Sequence, residues 1–454
     1  MNAQPGGRDR FRHGGRGDET IDIDCLSEAG LAGAMAFTAA SDTLDVSPSS
    51  ASLNGLDGIN FFLAGMQSGF GPFVAVLLAD EKWTQQDIGY VLSAGALAGL
   101  LSQLPGGELL DLTRSKRFLV AFGAIVVAVS ALVLAVRPTL PVVFVALLLQ
   151  GLTGGFLGPA VAAISLGLVG HLALAERLGR NQRFASAGAL TVTGLMGAIG
   201  YFFSYRAIFF ISAALVLPLL VAIARVRPAD IHFGRSCGQP DYHGPAAPPR
   251  AERLSLPKNY NLLIFAGCLF LFQLANASVL PLAGERLAYR SGTSASFVIS
   301  ALIILPQIVV ALSAPWVGQL AQSWGRRPLL LIGFGALTVR ALLFAVTTSP
   351  PLLIGIQLLD GVSGSVLGVL TALIIADLTN GTGRFNLAQG FVGTLSGIGA
   401  SISTTFFGLI FGDFGGKIGF LSIAGVALAT VLLAWSLMPE TKPLAAKSEQ
   451  PQLA

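Results

Sequence analysis

One acidic residue lies deep inside an apolar stretch of this 454-residue chain: Asp360, within the run LLIGIQLLDGVSGSVLGVL. A carboxyl group removed from water favours its neutral form, so such a residue can take up and release a proton. Arg340 lies at a similar depth in the preceding apolar run and offers Asp360 an ion-pair partner. The sequence leaves three roles open for Asp360: proton exchange, pairing with Arg340, and direct contact with a bound molecule.

Amide side chains form a second group of polar residues within the apolar runs. Because they are costly to place against lipid, we expect them to face other helices or a polar cavity. We predict that most of them line a cavity for a small molecule, with hydrogen bonds between helices as the alternative role for any one of them. They are Gln67, Gln150, Gln273, Asn276, Gln307, Gln357 and Gln389.

Two short segments that carry several charges resemble each other. GELLDLTRSKR covers residues 107–117, and GQLAQSWGRRP covers residues 318–328. Asp111 in the first segment is well placed to face the N-terminus of a neighbouring helix and a nearby Arg, such as Arg114 or Arg117, and these contacts together stabilise a carboxylate by about 0.3–2 kcal/mol. We expect these contacts to act as a latch that holds one conformation.

The apolar runs that carry these residues predict a membrane protein. The chain is 53% hydrophobic and only 11% charged, whereas an ordinary soluble domain is roughly 25% charged. The runs are about twenty residues long, the length of a helix that crosses a bilayer. Twelve spans are predicted, near residues 59–80, 87–110, 117–137, 139–168, 184–204, 206–225, 260–282, 294–316, 328–347, 350–378, 385–411 and 417–438.

The spans divide the chain into two halves. We predict a disordered N-terminal tail over residues 1–56, a six-helix bundle over 57–226, a polar linker over 227–258, a second bundle over 259–438, and a C-terminal tail over 439–454. Pro72 follows Gln67 in the first half, and Pro281 follows Asn276 at a comparable place in the second half. These prolines predict helix bends that open toward a cavity.

The distribution of basic residues predicts the orientation of the chain in the membrane. Placing the termini, the linker and the turns after spans 2, 4, 8 and 10 on one side collects 21 of the 28 Lys and Arg residues there. By the positive-inside rule that side is cytoplasmic. We expect a multi-pass protein of a plasma membrane, such as a bacterial inner membrane. Setting this orientation is the alternative role for the charges of the two repeated segments.

The repeated segments resemble the loop pattern G-x-L-A-D-R-x-G-R-[KR] of the major facilitator superfamily of secondary transporters. The resemblance covers about residues 57–440. It implies an all-α fold of twelve transmembrane helices in two pseudo-symmetric six-helix bundles. It also implies a gating role for Gly107, Asp111, Arg114, Arg117, Gly318, Gly325, Arg326 and Arg327. Leu112 and Gln322 depart from the pattern, and Gln322 leaves the second segment without its usual acid.

The resemblance implies a transporter that works by alternating access around a central cavity. We predict proton-coupled export of a drug-like or metabolic compound, with proton-coupled uptake of a nutrient or organic acid as the first alternative. A non-transporting membrane receptor or scaffold is the alternative of another class. Leu147 replaces the arginine that exporters of the superfamily often carry in helix 4, which weakens the case for export.

The sequence gives little support for other functions. No P-loop is present, and the four histidines lie in predicted tails or loops. We therefore expect no enzymatic activity, no metal and no cofactor, with the proton gradient as the energy source. The expected partners are a small-molecule substrate and the lipid bilayer. We expect a monomer that does not bind nucleic acid.

Overall fold

The computed structural model describes residues 48–68, 70, 72–239, 259–283, 295–347 and 349–442. The predictions for residues 1–47, 240–258 and 443–454 lie outside this part of the chain. Apart from one 3-10 turn (Pro228–Asp230), the described elements are α-helices. They are α1 (Ser50–Ser68), α2 (Pro72–Asp80), α3 (Gln85–Leu112), α4 (Lys116–Val136), α5 (Leu140–Phe202), α6 (Tyr205–Ala214), α7 (Val216–Arg225), α8 (Phe233–Ser236), α9 (Tyr260–Asn276), α10 (Ala295–Ser323), α11 (Arg326–Val346), α12 (Pro350–Ile356), α13 (Leu358–Thr379) and α14 (Phe385–Leu437).

Ten segments of the described chain are long and apolar enough to cross a membrane, and two of them, α5 and α14, are long enough to cross it twice. Each of these contains one glycine with a left-handed backbone, Gly170 (φ 67°) and Gly415 (φ 80°), a conformation that glycine adopts without strain. We call the parts before and after these glycines α5a and α5b, and α14a and α14b.

Contacts across the two glycines show that the chain folds back there. Asn181 Nδ2 donates a hydrogen bond of 2.7 Å to Ser165 Oγ, although a straight helix at about 1.5 Å per residue would hold these residues far apart. The rings of Phe411 and Phe420 are 4.9 Å apart across Gly415 for the same reason. Ten spans, of which two fold back on themselves, are consistent with the twelve predicted crossings.

Two boundaries differ from the sequence prediction. α1 begins at Ser50, within the predicted tail, because Asp230 Oδ2 accepts hydrogen bonds from Ser49 Oγ (2.6 Å) and Ser52 Oγ (2.7 Å) and fixes the start of the helix. α5b begins directly after Gly170, whereas the sequence predicts the fifth span from residue 184. The charged residues of the first turns of α5b hide this helix from a search for apolar runs.

Each half of the molecule has its own apolar core. Leu56, Val127 and Phe209 lie in the core of the first half, and Phe265 and Phe334 lie in the core of the second. Large apolar side chains also cover the outer surface. They include Leu101, Phe118 and Trp435, with exposed fractions of 72%, 64% and 62%. An apolar core inside an apolar outer surface is what a bilayer requires.

The described ends of the helical region and the turns named in the prediction lie on one side of the molecule, which we call the linker side. Ser49 contacts Asp230, Lys442 Nζ donates to the Ser323 carbonyl (3.0 Å), and the Phe385 amide donates to the Cys237 carbonyl (3.1 Å). On the opposite side, Arg206 pairs with Glu81.

Candidate transport site and gating loops

Two adjoining cavities lie in the interior. The second-half cavity has a volume of about 460 Å³ and is lined by residues of α9, α10, α13 and α14. The inter-half cavity has a volume of about 360 Å³ and is lined by α1 and α5 of the first half and by α13 and α14 of the second. Both are lined by Leu367 and Thr371, so α13 is the wall between them.

Six of the predicted polar residues line these cavities. Gln273, Asn276, Gln307 and Asp360 line the second-half cavity, and Gln67 and Gln389 line the inter-half cavity. Gln150 and Gln357 line neither. Gln357 is buried and donates a 3.3 Å hydrogen bond to Asp360, three residues further along the chain.

The predicted helix bends are present. α1 ends at Ser68, one residue after Gln67, and α2 begins at Pro72. α9 ends at Asn276, and the Ser278 amide that follows donates to Ser403 Oγ (3.0 Å) instead of to its own helix. Both interruptions place an amide side chain at a cavity wall.

The Arg340–Asp360 ion pair is formed. Arg340 Nη1 pairs with Asp360 Oδ1, and Arg340 Nη2 donates to Asn276 Oδ1. The Arg340 side chain is 2% exposed and the Asp360 side chain is 29% exposed, so the carboxylate reaches the cavity while the guanidinium is held behind it. The ion pair therefore leaves part of the carboxylate facing the cavity.

In the first-half loop, Asp111 lies on the N-terminus of α14. Its Oδ1 accepts hydrogen bonds from Asn386 Nδ2 (2.8 Å) and the Asn386 amide (3.2 Å), and its Oδ2 accepts one from the Leu387 amide (2.9 Å). Gly107 packs directly on the Asn386 carbonyl, where a side chain would collide. Asp111 therefore joins the two halves on the linker side.

The predicted basic partners of Asp111 lie elsewhere. Arg114 is exposed, and Arg117 donates to the Ile223 carbonyl (3.0 Å) within the first half. The cation near Asp111 is Lys116, which is 1% exposed and donates to the Leu110 carbonyl (2.9 Å). Arg114 and Arg117 thus make no described contact across the halves.

In the second-half loop, Gln322 replaces the acid and makes a different contact. Its Nε2 donates to the Leu172 carbonyl (3.0 Å) in the first turn of α5b, and Gly318 packs on the Ala175 carbonyl. The sequence predicts that Arg326 and Arg327 lack an acidic partner, and this is wrong. Arg326 Nε pairs with Asp377 Oδ2 at 3.0 Å, and Asp377 is the last acid of α13.

A second acid also serves the second-half loop. Glu440, just after α14, accepts hydrogen bonds from the backbone amides of Arg326 (2.7 Å) and Arg327 (3.0 Å). Burial raises the pKa of Glu440, but these bonds and one from the Lys442 amide outweigh it and hold the pKa below its ordinary value. The start of α11 is therefore capped by an acid from the end of the chain.

A charged cluster in the first half has no counterpart in the sequence prediction. Asp57 on α1 is buried and pairs with Arg177 and Arg180 on α5b, and Arg177 Nε donates to Asn181 Oδ1 (2.8 Å). Asp57 lies at the predicted tail boundary and both arginines lie in a predicted turn. The four-residue helical spacing of Arg177 and Asn181 is the signal that could have suggested a helix there.

Residues 231–238, which we call the strap, connect both halves on the linker side. The His232 amide donates to the Gly167 carbonyl of the first half (3.1 Å), and the Gly238 carbonyl accepts from the Gly381 amide of the second (2.7 Å). The Cys237 thiol lies 3.4 Å from Lys116 Nζ, and burial raises its pKa. The sequence predicts the strap as part of a plain linker, yet it contacts α3, α4, α5a and α14a.

Groups of three or more His, Cys, Asp or Glu residues that could hold a metal ion are absent from the described residues. The polar groups of the cavities are amides, hydroxyls and one carboxylate, which suit hydrogen bonding to an organic solute.

Comparisons with known proteins agree with this geometry. The family model "Major Facilitator Superfamily" matches residues 56–305 and 262–453. An MFS-type transporter of Mycobacterium tuberculosis is 37% identical over 389 residues, which cover 85% of this chain and 93% of that protein. The class B tetracycline resistance protein of Escherichia coli is 32% identical over 149 residues, 32% of this chain and 35% of that protein.

A solved structure shows the same fold. The fucose:proton symporter FucP of E. coli superposes with a TM-score of 0.66 at 15% identity, over 84% of this chain and 97% of that one. The repeated loops, the two six-helix halves, the interior cavities and these similarities lead to one conclusion: the chain is a multi-pass membrane protein that belongs to the major facilitator superfamily.

Proposed function

We propose that this transporter exports a small organic solute in exchange for protons by alternating access. The observation that carries the proposal is the Asp360 carboxylate, which faces the second-half cavity while Arg340 holds it from behind. Solute and proton can compete at such a group because both interact with the same oxygens. One relative is named a tetracycline resistance protein, and removal of a compound from the cell is one way to confer resistance to it, which supports export as the direction.

The contacts between the halves fit one state of the transport cycle. The hydrogen bonds that join the two halves at Asp111, Gln322 and the strap lie on the linker side. Taking the linker side as cytoplasmic, from the excess of Lys and Arg there, makes this an outward-facing state. The cytoplasmic side must then open by breaking these contacts.

Proton-coupled uptake of a nutrient or organic acid is the second candidate, and Leu147 favours it. This side chain stands in the place of the arginine common in exporters and is 3% exposed, so the position carries no charge for proton transfer. In either direction the proton gradient supplies the energy, and the protein acts as a monomer in a bacterial inner membrane. We propose no enzymatic activity, cofactor or nucleic-acid partner.

Transport into liposomes under an imposed pH gradient separates the two directions. For exchange, an acidic interior drives radiolabelled tetracycline into the vesicles; for symport, an acidic exterior does so. Both results are independent of how the protein is inserted, because each depends only on the sign of the gradient. Accumulation that is equal under both gradients and without one would refute proton coupling. Asp360→Asn is expected to abolish the gradient-driven component.

A further inference from the structure

The guanidinium of Arg340 is shared between two acceptors. Nη1 is held by Asp360 on α13 and Nη2 by Asn276 on α9, while Nε has no partner among the described residues. The guanidinium of arginine carries only hydrogen-bond donors. If the acceptor of one of its two NH2 groups leaves, the guanidinium is free to turn toward the other acceptor. Asn276 and Asp360 thus share one buried cation.

Asn276 is the residue through which a ligand in the cavity can change the contacts of Arg340. Asn276 and Asp360 line the second-half cavity, whereas Arg340 is 1% exposed and does not line it. A ligand hydroxyl or N–H that donates to Asn276 Oδ1 would compete with Arg340 for that oxygen. The ligand then acts on the ion pair without touching the guanidinium.

Among the residues that the structure describes, few groups near Asp360 could control its charge. Arg340 is the charged side chain that faces it within the described part of the chain, and the nearby Gln357 and Asn276 are neutral. α10 packs against the start of α13 through Pro306 and Val309, at Gly361. A change in how the Arg340 guanidinium contacts Asp360 is therefore the most direct way to change the charge of that carboxyl group.

We propose that Asn276 is a positioning residue through which a bound solute with a hydrogen-bond donor turns Arg340 fully onto Asp360 and expels the proton of that carboxyl. The two-pronged arginine–carboxylate pair is the stronger arrangement and favours the ionised acid. The proton passes from Asp360 to water in the cavity, where the side chain is 29% exposed. This inference rests on the proposed proton exchange, and it assigns the cargo to hydroxyl-, amide- or amine-bearing solutes.

The first test needs no ligand. The infrared carboxylate stretch of Asp360 is isolated as the difference between wild type and Asp360→Asn at alkaline pH. Asn276→Ala should shift this band, because Arg340 then binds the carboxylate with both arms. Gln273→Ala, one helical turn away on the same cavity wall, is the matched control and should leave the band in place. An unshifted band in Asn276→Ala would overturn the proposal, as would an equal shift in Gln273→Ala.

The second test uses tetracycline as the probe and measures its Kd at two pH values. If protons oppose binding, the Kd is higher at the lower pH. In the wild type we expect the ratio of the two Kd values to be roughly 5–150, the usual range of coupling between two sites. Asn276→Ala should bring this ratio close to one, while Gln273→Ala should weaken binding and keep the ratio. A wild-type ratio of one refutes the proposed proton exchange. A ratio in Asn276→Ala that is as large as the expected ratio in the wild type refutes the role of Asn276 alone.

Discussion

The two repeated loops occupy equivalent places but join the halves by opposite chemistry. In the first, the Asp111 carboxylate accepts from the N-terminus of α14. In the second, the Gln322 amide donates to the Leu172 carbonyl, and the acids lie behind the loop, at Asp377 and Glu440. At the first loop a charged side chain contacts the other half. At the second loop the charged contacts lie within one half and stabilise that half. We infer that the first loop controls access and the second supports the fold.

The largest effect is expected from a substitution that breaks the Arg326–Asp377 ion pair of the second loop. Arg326 and Asp377 are both buried, with exposed fractions of 6% and 4%, so Arg326→Ala leaves an unpaired carboxylate in the interior. Loss of one partner of a buried pair costs about 3–5 kcal/mol of the free energy of unfolding. Thermal unfolding in detergent measures this cost, with the exposed Arg183→Ala as the control. A variant as stable as the control would contradict a supporting role for the second loop.

A smaller effect is expected at the first loop. Asp111→Asn removes the negative charge at the N-terminus of α14, a contact worth up to about 2 kcal/mol, and should shift the population toward a state open on the linker side. Maleimide labelling of Gly158→Cys, on the wall of the inter-half cavity, from each side of the membrane reports the shift. Gln322→Ala is the comparison and should shift access less, because this exposed neutral hydrogen bond contributes about 0.5–1.5 kcal/mol. An equal shift in the two variants would remove the distinction between the loops.

The smallest effect concerns the strap that lies against the first loop. Cys237 is 2% exposed and burial raises its pKa, so the reactive thiolate is scarce until the pH exceeds the usual range for a thiol. We expect slow maleimide labelling that rises with pH and that Asp111→Asn accelerates, because opening the linker side exposes the strap. Labelling at the rate of a free thiol in the wild type would show that the strap is not closed over Cys237. Protein carrying Cys237→Ser serves as the blank.

Composition and spacing predict the fold well here because the bilayer imposes a simple rule on apolar length. Twelve crossings, two halves and the interruptions after Gln67 and at Asn276 follow from that rule together with the positions of proline. The rule fails where charge enters a helix. Asp57, Arg177 and Arg180 neutralise one another only after α1 and α5b meet, and in the sequence they are separated by more than a hundred residues.

The candidate site is only partly readable in the sequence. Asp360 and most of the cavity amides stand out because polar groups are rare in apolar runs. Their partners do not stand out. Asp377, the acid that pairs with Arg326, lies at the end of α13, where an acidic residue looks like part of an ordinary helix terminus. The sharing of Arg340 between Asn276 and Asp360 depends on three helices and is visible only in the folded chain.

Proton release on ligand binding tests the central claim most directly. The pH of a weakly buffered solution of purified protein is followed as tetracycline and then a compound library are added, in the wild type and in Asp360→Asn. We predict release by the wild type that disappears in the variant while binding remains. Binding with no release, or equal release by both proteins, would contradict proton exchange at Asp360 and leave that residue as a structural partner of Arg340.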